Sequence, residues 1–167
     1  MLIISDTSVL IDVECSGLTK AMFSLPWQFG VPDILFVKEL STKHAHLLDF
    51  GLISITMNGN QISEVYNLRQ KYIKTSVNDL LALILAKHAD CPLLTGDKAL
   101  KGVAEQLNVQ VHGTIWLVQQ MIQHNIISVE NARVAFDRMR SAGSRLPWKE
   151  IDRILNLQIL ERAEQYV

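Results

Sequence analysis

Apolar residues along this chain fall into two alternating kinds of run. Short runs, apolar on both faces, suit strands buried in a parallel sheet. Longer stretches with apolar residues three and four apart suit helices. Leu2-Ile3-Ile4-Ser5 is of the first kind, and helical stretches follow through Val13 and over 18–25. Pro26 and Phe29-Gly30-Val31-Pro32 break the pattern. Ile34, Leu35, Val37, Leu40, Leu47 and Leu48 predict one helix with a soft start over 33–48. A strand over 52–56 and a turn at Asn58-Gly59-Asn60 lead to a helix over 61–72. The helix over 77–89 is apolar nearly all round, with Leu80, Leu81, Leu83, Ile84 and Leu85, and should be deeply buried. A strand over 92–95, a turn at Gly96-Asp97, a helix over 99–107 and a strand over 109–111 follow. Thr114 is placed to cap a helix reaching His124.

This alternation predicts an α/β fold whose parallel sheet is covered on both faces. After about residue 126 the strands stop. Ser128 caps a predicted helix to Arg140, Ala142-Gly143 ends it, and Pro147 opens a last helix to about Tyr166. Residues 1–125 therefore form the α/β domain. Residues 126–167 form a helical hairpin packed on that domain or on a partner.

Composition narrows the function classes. The chain has 167 residues, 49% hydrophobic and 20% charged, with 8 glycines and 4 prolines. It can bury a core without disulfides, and it is neither disordered nor low in complexity. No run of about 18 apolar residues appears, so no membrane span is expected. The net charge of −1 argues against coating nucleic acid through bulk charge, so any nucleic acid must be held by a local patch or by metal ions. Cys15 and Cys91 form no metal motif and are expected to be buried free thiols. The N-terminal MLIISDTS lacks the features of a secretory signal, and a cytoplasmic setting is expected.

The candidate chemistry lies in four acids. Asp6 follows the first strand and Asp97 follows the strand over 92–95, where open parallel sheets bind ligands. Asp79 lies in the first turn of the buried leucine-rich helix, where a carboxylate needs a partner. Glu39 lies beside Val37 and Leu40. Singly, Asp6 and Asp97 can cap helices, Asp79 can complete a capping box with Ser76, and Glu39 can be a solvated helix acid. Together they predict an acidic pocket that recruits a cation. An all-oxygen set suits Mg²⁺ or Mn²⁺, and such a site does phosphoryl chemistry. Thr7 and Thr95 add hydroxyls beside it.

The order of these motifs resembles the PIN-domain (PilT N-terminus-like) nucleases. The resemblance is carried by Ile3-Ile4-Ser5-Asp6-Thr7-Ser8, Val37-Lys38-Glu39-Leu40, Asn78-Asp79-Leu80-Leu81-Ala82-Leu83 and Leu94-Thr95-Gly96-Asp97-Lys98-Ala99-Leu100. Gly113-Thr114 before a helix fits as well, and the tail resembles one bacterial and archaeal PIN-like branch. The resemblance implies a three-layer α/β/α fold with a central parallel sheet. It also implies a ribonuclease using Mg²⁺ or Mn²⁺, often a VapC-type toxin held by a cognate antitoxin and often a homodimer. Carried over by position, Asp6, Glu39, Asp79 and Asp97 are metal-binding and catalytic acids, and Thr95 is the supporting catalytic hydroxyl. Where many members carry a further acid, this chain has Ala99 and Lys101.

Several other features have simpler readings. His44 and His46 stand two apart, which on a helix puts them on different faces, so a metal pair is not expected. Trp27, Trp116 and Trp148 are expected to pack, with Trp148 an alternative interface anchor. Lys38, Lys98 and Lys101 adjoin the acids and are candidate RNA contacts. Arg138, Arg140, Arg145 and Lys149 form a basic stretch that suits a solvated helix end, RNA backbone or an acidic partner, and Arg138 and Arg140 are carried forward as RNA contacts. Two rivals stand beside the nuclease: a catalytically weak PIN-like module that binds nucleic acid or protein, and a phosphate-transfer domain with Asp6 as acceptor. The second is disfavoured because haloacid-dehalogenase-like enzymes want an Asp where Ser8 stands.

Overall fold

The computed structural model describes residues 1–164, with burial described through residue 157. Its strands are β1 (Leu2–Ser5), β2 (Gln28–Pro32), β3 (Ile53–Ile55), β4 (Leu93–Leu94) and β5 (Val111–His112). Its helices are α1 (Thr7–Ser16), α2 (Thr19–Phe23), α3 (Asp33–Leu35), α4 (Gly59–Lys71), α5 (Val77–His88), α6 (Lys98–Gln106), α7 (Thr114–Gln123), α8 (Val129–Ser141) and α9 (Trp148–Glu164). The strands form one parallel sheet in the order β3-β2-β1-β4-β5. Strand order runs outward from β1 to β3 on one side and from β4 to β5 on the other. The topological switch point, where such sheets bind ligands, therefore lies between β1 and β4.

Alternation along the strands builds two cores. Ile3 and Leu94 face a cluster with Val9, Leu10, Met22, Leu117 and Met121 from α1, α2 and α7. Ile4 and Leu93 face the other way, into a cluster with Leu80, Leu83, Ile84 and Leu100 from α5 and α6. The result is the expected three-layer α/β/α fold.

Several sequence expectations are corrected. The segment 28–32, read as a break, is a strand paired with both β1 and β3. Phe29 and Val31 alternate into the first core. Gly30 lies on the opposite face, where a Cβ would stand 2.8 Å from Ile55 Cδ1 and 3.2 Å from Ile4 Cδ1. The glycine marks a close approach inside a strand, and Pro32 sits at its last position.

The single helix expected over 33–48 is three short pieces. α3 runs into a π turn (Phe36–Leu40), closed by the Ser41 N–H on the Phe36 carbonyl at 2.8 Å, and a 3₁₀ turn (Ala45–Leu48) follows. The last strand begins at Val111 rather than 109. Asn108, at φ 55°, ends α6 in the left-handed conformation, and the Val109 N–H returns to the Ala104 carbonyl at 2.9 Å. That helix closure uses up the residues assigned to the strand.

The tail forms a helical hairpin on the first core. Val129, Ala132, Ala135, Phe136 and Met139 of α8 and Ile151 and Leu155 of α9 join the α1 and α7 side chains. Arg138 Nη1 donates to the Ser16 carbonyl at 3.3 Å, and the Ser144 hydroxyl donates to Asp12. Burial pushes the Asp12 carboxyl up, and the Ser144 bond opposes that shift. Arg140 stacks on the Trp148 ring at 4.7 Å. The expected end of the last helix near Tyr166 lies outside the described residues. Both cysteines are free, but Cys15 is exposed rather than buried. The buried positions of α1 are Thr7, Val9, Leu10, Val13 and Ser16, and Cys15 falls off that face. Among the described residues no helix is long and apolar enough to cross a membrane.

Candidate functional site

β1 and β4 end side by side, and each hands its next residues to a helix. Asp6 follows β1 and caps α1: its Oδ1 accepts from the Val9 N–H and the Ser8 hydroxyl, both at 2.9 Å. Its own N–H is fixed on the Leu94 carbonyl at 2.9 Å. The residue is only 5% exposed. Burial pushes the Asp6 carboxyl up; hydrogen bonds from Thr95, Val9 and Ser8 oppose that, and the charge of Asp79 pushes it further up. Among the described residues no cationic side chain forms a salt bridge with this carboxyl.

Thr95 follows β4 and is fully buried. Besides serving Asp6, its hydroxyl accepts from the Asp97 N–H at 3.1 Å. Asp97 is exposed and caps α6 by accepting from the Leu100 N–H at 2.7 Å. Asp79 stands in the first turn of α5, in the capping box expected for it. Its Oδ2 takes the Ser76 hydroxyl at 2.6 Å, while Ser76 Oγ takes the Asp79 N–H at 3.1 Å. The π turn presents Glu39, whose carboxylate accepts from the Thr7 hydroxyl and the Asn78 amide. Glu39 thus ties the residue after Asp6 to the residue before Asp79. Thr7 and Asn78 position Glu39, and the sequence signal for this is that they flank the two acids.

The structure brings Asp6 and Asp79 within charge interaction, with Thr95 between Asp6 and Asp97. It does not gather all four acids: among the described residues no three acid, histidine or cysteine side chains stand close enough to hold a metal ion. The donor chemistry nevertheless fits a hard divalent cation. Two carboxylates repel each other here, one of them buried, and among the described residues neither forms a salt bridge. Such a pair is costly unless it is protonated or neutralised by a ligand. Glu39 and Asp97 are held by neutral hydroxyl, amide and backbone donors.

The basic candidates separate into two groups. Lys38 is exposed on the π turn beside Glu39. Lys98 and Lys101 lie on the first turn of α6, after Asp97, and Lys101 is half-buried. Arg138 and Arg140 lie on α8, engaged with Ser16 and with Trp148 and Asp152. Ser16 closes α1 at the end away from Asp6. Ten residues of helix separate those ends, about 15 Å. His44 and His46 both reach Glu14, the latter at 2.7 Å. Trp27 stacks on Trp116 at 5.3 Å, and Trp116 stacks on His112 at 3.7 Å. Burial pushes the His112 pKa down.

These features agree with what the chain is similar to. A PilT N-terminus domain protein from the hyperthermophilic archaeon Sulfolobus solfataricus superposes with a TM-score of 0.51 at 16% identity, covering 74% of this chain and 96% of that one. At that identity the likeness concerns the fold. Among curated proteins none matches. The family model DUF3368, a PIN domain, matches residues 2–159. PIN domains have a nuclease-type fold, are generally hydrolases of nucleic acid, and generally use divalent metal ions. With nearly its whole length matched, and its acids at the switch point of the expected sheet, this chain belongs to the PIN-domain family.

Proposed function

We propose that the protein is a Mg²⁺- or Mn²⁺-dependent endoribonuclease that hydrolyses RNA phosphodiesters. The observation that carries this is the buried Asp6 carboxyl, set against Asp79 at the switch point and without a salt bridge among the described residues. Asp6 and Asp79 would hold the ion, with Glu39 and Asp97 at its margin. A divalent cation supplies, when bound, neutralisation of the phosphodiester and acidification of the attacking water. The protein's own part is positioning. Ser8, Val9 and Thr95 fix Asp6, and Thr7 and Asn78 fix Glu39. Lys38, Lys98 and Lys101 offer charge to the RNA backbone. Arg138 and Arg140 are assigned a more distant contact along the strand.

The family resemblance supports finer assignments. We place the protein in the cytoplasm as the toxin of a toxin–antitoxin pair, acting as a homodimer and restrained by a cognate antitoxin. The domain is assigned to 1–125, with 126–167 as its helical extension.

A second reading has its own observation. No three potential ligands converge among the described residues, which favours a catalytically weak module that binds nucleic acid or protein. One experiment decides. Wild type, Asp6→Asn and Asp79→Asn are incubated with a mixed RNA pool, with Mg²⁺, Mn²⁺ or EDTA. Cleavage that needs both the metal and Asp6 establishes the nuclease. Folded protein that cleaves nothing and takes up no Mn²⁺ by calorimetry establishes the binding module.

A further inference from the structure

Next to the acidic site lies a cavity of about 360 Å³ whose charged lining residues are Lys101, Arg145 and Glu150. It is walled by the start of α6, the start of α7 and the loop between α8 and α9. Gly96, between Thr95 and Asp97, lines it, so the cavity adjoins the carboxylates. α7 begins there without any side-chain cap: its N-cap is Gly113, which offers no acceptor to the first N–H groups. Thr114, expected from the sequence to be that cap, is instead the first helical residue. Thr114 is 2% exposed, it lines the cavity, and its hydroxyl has no hydrogen-bond partner. No other buried side-chain polar atom among the described residues is left in that state.

Cations converge on the same place. Lys101 Nζ lies 3.7 Å from where a Gly113 Cβ would be, and Arg145 lines the cavity as well. The carboxylate on this wall, Glu150, lies 4.0 Å from Arg153. Uncapped backbone N–H groups, a positive helix end, an idle hydroxyl and two cations together form a site for a phosphate.

We propose that Thr114, Lys101, Arg145 and the first N–H groups of α7 seat a backbone phosphate of the RNA strand, beside the phosphodiester held at the carboxylates. The assignment rests on the nuclease reading of those carboxylates for its substrate, but its own evidence is separate. The phosphate needs no metal to bind here. Gly113 leaves the amides open, and α8–α9 contributes Arg145 to a site otherwise built from the α/β domain.

The test follows backbone amide NMR shifts in EDTA. Inorganic phosphate and a short single-stranded RNA are titrated separately into wild type, Thr114→Val and the Lys101→Met/Arg145→Ala pair. The expected result is that both probes shift the Thr114, Ile115 and Trp116 amides in the wild type. Thr114→Val, which keeps shape and fold, should weaken both responses, and the lysine–arginine pair should weaken RNA binding about tenfold. Phosphate shifts without RNA shifts overturn the proposal, because the pocket then holds only free anions. Absence of both overturns it outright. Cleavage assays separate this from the nuclease reading. RNA seated at Thr114 by a protein that cleaves nothing leaves the subsite standing and the nuclease fallen. Active Thr114→Val and Lys101→Met/Arg145→Ala proteins with unchanged KM leave the nuclease standing and the subsite fallen. The expected pattern is a KM rise of about tenfold in the double variant with kcat nearly unchanged.

Discussion

Asp6 carries two opposed demands, and its substitution separates them. Its folded-state pKa is raised by burial and by Asp79. A carboxyl raised in this way is in its favourable neutral form well below the usual carboxylate range. As pH climbs past the unfolded value toward the folded one, the unfolded chain releases its proton first, and stability falls. At neutral pH the raised pKa of Asp6 therefore costs the metal-free protein stability that it has at acid pH. Asp6→Asn keeps an oxygen to accept from Val9 and removes the charge. It should raise the melting temperature at pH 7 in EDTA, with a gain that shrinks toward acid pH, while abolishing cleavage. Mn²⁺ should then stabilise the wild type and not the variant. A variant that melts below wild type at pH 7 would refute the charge argument. Thr114 has the same logic in a neutral group. Thr114→Val removes an unsatisfied buried hydroxyl and should gain about 1 kcal/mol in urea unfolding, so a loss of that size would mean that the hydroxyl has a partner. Both acid and hydroxyl were legible in the sequence as residues. What each bonds to was not, because Glu39 meets Thr7 and Asn78 only after three elements converge.

At the scale of elements, periodicity served well wherever helices had a face and ends with their own chemistry. Ser128 and Asn131 close a capping box on α8, and Asn58 and Gln61 do the same on α4. Asn108 and Asn125, at φ 55° and 56°, close α6 and α7. Sequence reading failed at β2 because Gly and Pro are breakers only in the absence of tertiary context. Gly30 is required by its neighbours in the sheet, Ile4 on β1 and Ile55 on β3. Gly30→Val should therefore destabilise by about 1–3 kcal/mol through overpacking, even though valine favours strands. Denaturant unfolding checks this, and a neutral or stabilising result would mean that Ile55 and Ile4 yield without cost. The π turn was equally hidden, since its extra residue leaves no mark on a 3.6-residue pattern. It carries Glu39, in keeping with the tendency of such turns to sit at functional places.

For the whole molecule, the open question in the sequence was whether the hairpin after residue 126 belongs to the domain or to a partner. Its described buried apolar residues, from Val129 to Leu155, lie in the same cluster as Val9, Val13, Leu117 and Met121. Phe136 is 4% exposed within that cluster. Phe136→Ala should cost about 3–5 kcal/mol, the range for emptying a buried phenylalanine site. That loss is a large share of the 5–15 kcal/mol by which domains are usually stable. Deleting everything from Ser128 removes that side chain with Val129, Ala132, Ala135 and Met139 at once. It also removes the Arg138 bond to Ser16 and the Ser144 bond to Asp12. The truncated chain should lose solubility and bind a hydrophobic dye, and its far-ultraviolet dichroism should fall by more than the helices removed. The single substitution should remain folded with a lower denaturation midpoint. A truncated chain that stays monomeric, dye-free and cooperative in unfolding would show that α1 and α7 need no cover. The hairpin would then be a detachable arm, free to carry Arg145 away from Thr114.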